Sequence, residues 1–126
     1  MLYIFKGLPG VGKTTLARHV ARTRKAVHVR IDTIEQALRD TAVAFTGPEG
    51  YVVAYRLAAD NLCLDGDVVA DSVNPLHVTR NAWREVANNA GVRAIEIEVI
   101  CSDIDEHLAR VESRLADICH RMTGRC

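Results

Sequence analysis

Gly7-Leu8-Pro9-Gly10-Val11-Gly12-Lys13-Thr14 follows a short apolar run and matches the spacing G-x-x-x-x-G-K-[ST]. A loop of this kind wraps a phosphate with backbone N–H groups. Side chains must therefore stay out of the way, and glycine also admits positive φ. A helix starting at the loop adds unpaired N–H donors and the positive end of its dipole. Lys13 can reach the outer phosphates as a point charge, and Thr14 offers a hydroxyl to a magnesium ion. Thr15 adds a second hydroxyl near the innermost phosphate.

Two aspartates stand where strands should end. Asp71 follows Val68-Val69-Ala70 and has two readings, a carboxylate holding Mg²⁺ directly or through water, or a turn cap before Asn74-Pro75. Asp32 is either a helix N-cap paired with Glu35 or the carboxylate that orients an acceptor hydroxyl, and both can hold together. His107, Arg110, Arg114 and Arg121 share one side of a helical pattern. That stripe is either a solvated face, with Glu106 spaced to pair with Arg110, or a cover for a transferring phosphoryl group. Arg80 is either a surface residue or a contact for an anionic substrate. Trp83 lies on an apolar helical stripe and is expected in the core.

These residues need elements to position them, and short apolar runs alternate with helical patterns along the chain. The alternation predicts an α/β fold with a parallel sheet. Leu2–Phe5 and Val68–Ala70 are continuous apolar runs, suited to strands covered on both faces. Val27, Val29 and Ile31 alternate with polar residues, as do Ile95, Ile97 and Val99, which predicts half-exposed strands. The continuous runs belong in the middle, so the expected strand order is 2-3-1-4. Helices are expected over Lys13–Arg24, from Asp32 onward, over Tyr51–Asp65 with Gly66 terminating, around Trp83 up to Gly91, and from about Asp103. Thr46–Gly50 reads as a loop.

The chain has 126 residues, enough for one domain spanning 1–126, and 48% apolar against 25% charged residues suits a globular protein. Sixteen basic residues balance sixteen acidic ones, so no overall field draws the chain onto nucleic acid or an anionic membrane. A kinase of nucleic-acid ends is thereby disfavoured. No apolar run reaches a membrane span or a secretory signal, which makes a reducing cytoplasm the expected compartment. Cys63, Cys101, Cys119 and Cys126 lack the spacing of a zinc site and read as mostly buried thiols.

With the loop, both aspartates and the arginine helix placed, the chain resembles the small bacterial P-loop kinases, often labelled AAA-family ATPases. Gluconate, shikimate and adenylylsulfate kinases, chloramphenicol phosphotransferase and zeta-toxin-like kinases are relatives of that group. Ile31–Glu35, Val69–Pro75 and Cys101–Asp103 carry the likeness beyond the loop, which runs to about Arg114. The resemblance implies a three-layer P-loop NTPase fold, ATP and Mg²⁺, and transfer of the γ-phosphoryl group to a hydroxyl of a small molecule. It assigns phosphate and metal to Lys13 and Thr14, metal support to Asp71, the acceptor to Asp32, and the lid to Arg110 or Arg114. Such kinases continue into a fifth strand and an adenine-holding segment, so a missing fifth strand is expected here. That would leave the strand with Glu96 and Glu98 as an open edge, where a homodimer can form. The alternative is a nucleotide-binding module, or remnant of a longer kinase, that does not catalyse transfer.

Overall fold

The computed structural model describes residues 1–7, 12–42, 44, 48–72 and 77–99, with backbone alone at 77–80. The expected last helix, the fifth-strand question and the terminal cysteines lie outside these residues. Strand β1 (Leu2–Lys6) is followed by α1 (Lys13–Arg24), β2 (Val27–Arg30) and α2 (Ile31–Asp40). Then come α3 (Pro48–Cys63), β3 (Val68–Asp71), α4 (His77–Ala90) and β4 (Ala94–Glu98). The four strands form one parallel sheet in the order β2-β3-β1-β4, as expected.

Side chains alternate across each strand, so each buried strand feeds two cores. On one face Leu2, Ile4, Val29, Val68 and Ala70 pack with Ala54, Ala58 and Leu62 of α3 and Trp83 and Ala87 of α4. On the other, Tyr3, Phe5, Val69, Ile95 and Ile97 pack against Leu16, Ala17 and Val20 of α1. Helices on both faces make three layers. Trp83 is fully buried, its ring edge-on to Tyr55 at a centroid distance of 4.7 Å.

Several local expectations give way to packing. Ile31 belongs to α2 rather than to β2, and its side chain is buried. The helix therefore starts directly from the strand, with Arg30 as N-cap and no capping side chain. Asp32 is thus not the cap but a first-turn residue, where a negative charge suits the helix dipole. Pro48, Glu49 and Gly50, expected in a loop, open α3, because proline fits a first helical turn whose N–H has no partner anyway. At the other end α3 stops at Cys63, and the left-handed residue is Asp65 (φ 64°) rather than Gly66. Cys63 is exposed, against the expectation of a buried thiol. Among the described residues no helix is long and apolar enough to cross a membrane.

Candidate functional site

β1 and β3 are hydrogen-bonded neighbours, with Phe5 level with Asp71. Their carboxyl ends therefore deliver the start of the glycine loop and the strand-end aspartate to one place. The chain leaves β1 at Gly7 with φ 146°, and a Cβ there would meet the Val99 carbonyl oxygen at 2.6 Å. Only glycine can turn at that point without moving backbone. Gly12 (φ 85°) caps α1 in the left-handed conformation, with no side-chain capping bond and no acidic residue in the first turn. Nothing in that first turn neutralises the positive end of the helix dipole. Leu8, Pro9, Gly10 and Val11 lie outside the described residues.

Lys13 and Asp71 meet at the centre. The Lys13 ammonium lies 3.1 Å from Asp71 Oδ1, with side-chain exposures of 8% and 1%. On the other oxygen, His28 Nε2–H donates to Asp71 Oδ2 at 3.1 Å. Arg30 Nε stands farther off, 4.0 Å from Oδ2. Burial pushes the Asp71 carboxyl up, but the His28 hydrogen bond and the Lys13 charge pull harder, and the net shift is downward. The carboxylate stays ionised because both of its oxygens face cationic or donating groups.

Thr14 is half-buried and Thr15 exposed, both in the first turn of α1. Asp32 is not drawn into the Lys13–Asp71 pair. Its side chain is 63% exposed and 3.6 Å from Arg30, which stands between it and Asp71. Next to Asp71, the Ser72 hydroxyl is buried and has no hydrogen-bond partner among the described residues. Arg110 and Arg114 lie outside the described residues, as does the Arg80 side chain.

His28 and Arg30 are the site residues that sequence reasoning missed. They occupy the polar positions of an alternating strand and read as solvated. The available signal was period: both sit on the β2 face that Arg30 shares, in register, with Asp71.

Thr14 and Asp71 are the residues suited to a magnesium ion. Among the described residues no group of three His, Cys, Asp or Glu side chains could hold a metal.

A parallel sheet with a phosphate-type loop between its central strand and first helix defines a P-loop protein. The chain belongs to the family described as AAA domain, whose model matches residues 2–121. Its fold is similar to that of a presumed kinase from Chloroflexus aurantiacus, at 21% identity and a TM-score of 0.68, covering 94% of this chain and 68% of that one. The Mycobacterium tuberculosis APS kinase CysC is similar at 21% identity and a TM-score of 0.66, covering 91% and 96%. Chaetomium thermophilum Kti12, solved with ADP-AlF3, is similar at 23% identity and a TM-score of 0.64, covering 92% and 68%. At such identities the likeness shows a shared fold. The search of curated proteins found no match.

Proposed function

We propose that the chain binds ATP with Mg²⁺ and transfers the γ-phosphoryl group to a hydroxyl of a small molecule. The observation that carries this reading is the buried Lys13–Asp71 pair, 3.1 Å apart, which joins the first residue of α1 to the end of β3. A buried ammonium held by a carboxylate at a strand end is poised to exchange that carboxylate for phosphate oxygens. Asp71 would then remain anchored through His28, with one oxygen available to a cation. Magnesium, when bound, neutralises charge developing on the phosphates. Asp32 faces solvent beside Arg30 and is suited to meet an acceptor hydroxyl. Arg110 and Arg114 are proposed as cover for the transferring group. Positioning and charge stabilisation supply most of the rate.

The test is incubation with γ-labelled ATP and a panel of sugars, nucleosides and aminoglycoside-type alcohols. Label on an acceptor, lost in Lys13→Ala, supports the reading. A second reading, nucleotide binding without transfer, draws on the exposure of Asp32, whose described ion pair is with Arg30 rather than with the phosphate centre. Measurable ATP binding with no label on any acceptor would favour it.

A further inference from the structure

Beside the phosphate centre, along β2, lies a groove of about 250 Å³. In the described sheet β2 is an edge strand, and the groove runs between it and the flanking helices. Arg18 of α1, Val27, His28 and Arg30 of β2, and Leu57 and Asn61 of α3 line it. Two kinds of surface meet there. Val27 and Leu57 are 42% and 46% exposed, an apolar wall left in solvent. Opposite in character, Arg18 and Arg30 bring two guanidinium groups, and among the described lining residues there is no carboxylate, the nearest to Arg30 being Asp32 and Asp71 beyond the groove.

The donors of those arginines are only partly used. Among the described residues Arg18 has no hydrogen-bond or ion-pair partner. Arg30 Nε is shielded and faces Asp71 Oδ2 at 4.0 Å, and Nη2 lies 3.6 Å from Asp32, both too long for charge-assisted hydrogen bonds. It is the partly exposed end of this guanidinium that remains for a ligand. Guanidinium groups recognise carboxylate and phosphate- or sulfate-like heads, and the apolar wall wants a hydrocarbon or ring.

We propose that this groove is a binding site for a small organic anion, its charged head on Arg18 and Arg30 and its apolar body against Val27 and Leu57. The volume suits a single ring bearing one acid group, below the range of drug-sized pockets. Neither Lys13 nor Asp71 is among its described lining residues, while His28 and Arg30 border both the groove and the Asp71 carboxylate.

The experiment is an amide NMR titration of the full chain with benzoate and benzenesulfonate, and with benzyl alcohol as the uncharged ring. Either anion should give saturable shifts concentrated at Val27, Val29, Leu57 and Asn61. Benzyl alcohol should bind about tenfold more weakly, and Arg18→Glu should weaken the anion by at least about tenfold. Arg18 is exposed on α1, so this variant should keep the parent spectrum elsewhere. Lys13→Ala should leave anion binding intact, which separates failure here from failure of the nucleotide reading. Absence of saturable shifts with both anions overturns the proposal. Benzyl alcohol binding as tightly as benzoate, or indifference to Arg18→Glu, overturns it equally.

Discussion

Asp71 is a carboxylate that burial alone would drive toward the neutral acid, and two neighbours keep it charged. Removing one of them strands a buried charge. Lys13→Met should therefore destabilise the fold by about 3 kcal/mol in urea unfolding, although no ligand is present. Combining it with Asp71→Asn should cost less than the sum, with a coupling of about 1–3 kcal/mol, because the two side chains share one interaction. The pH dependence follows from the sign of the shift. A carboxyl depressed below its ordinary 3.8 contributes stability above that value, and the contribution is lost as pH falls through the lower folded-state value. The melting temperature of the parent should thus drop more steeply below about pH 4 than that of Asp71→Asn, and parallel curves would contradict the ion pair. His28 acts through Asp71. His28→Ala should lower phosphoryl transfer about tenfold, the worth of a hydrogen bond to a charged group, while nucleotide binding without Mg²⁺ stays near the parent's. None of this role was visible in the sequence, where a histidine between Val27 and Val29 looks like the solvent side of a strand.

At the scale of elements, the glycine loop works only if β1 ends where backbone can turn beside Val99. Gly7→Ala meets both a left-handed φ and the Val99 carbonyl oxygen at 2.6 Å. The expected cost is at least about 2–3 kcal/mol in denaturant unfolding, the upper part of the usual penalty for a strained backbone, because the clash adds to the strain. A neutral result would mean that the bend is not formed in solution. The sheet order was readable because hydrophobic continuity reports burial on two faces: Leu2–Phe5 and Val68–Ala70 are the central strands. The bounds of α1 were equally plain, with Lys13 directly after the last loop glycine and the basic residues Arg22 and Arg24 in the last turn. Other boundaries were hidden by residues with two uses. Gly47-Pro48-Glu49-Gly50 has turn chemistry, yet proline is equally at home opening a helix, and the core contacts of Ala54, Ala58 and Leu62 decide the matter. Asp32 and Glu35 have the spacing of a capping box, but burial of Ile31 draws the helix start forward and turns the aspartate into a first-turn residue.

For the molecule as a whole, sixteen positive and sixteen negative charges cancel, so attraction for a polyphosphate must be local rather than a property of the overall field. That makes a thermal-shift titration discriminating. A ligand held only by the native state at 100 times its dissociation constant stabilises the fold by about 2.7 kcal/mol. For a domain of this size that corresponds to a rise in melting temperature of about 10 °C. ATP with Mg²⁺ should produce it in the parent and in Arg22→Gln, which changes the charge at the far end of α1. It should vanish in Lys13→Ala. ATP without Mg²⁺ should give a smaller rise, and Asp71→Asn should remove the difference between the two conditions. A shift equal in all four proteins would mean that the nucleotide binds elsewhere, because diffuse attraction cannot come from a chain without net charge and no surface lysine or arginine would then be singled out.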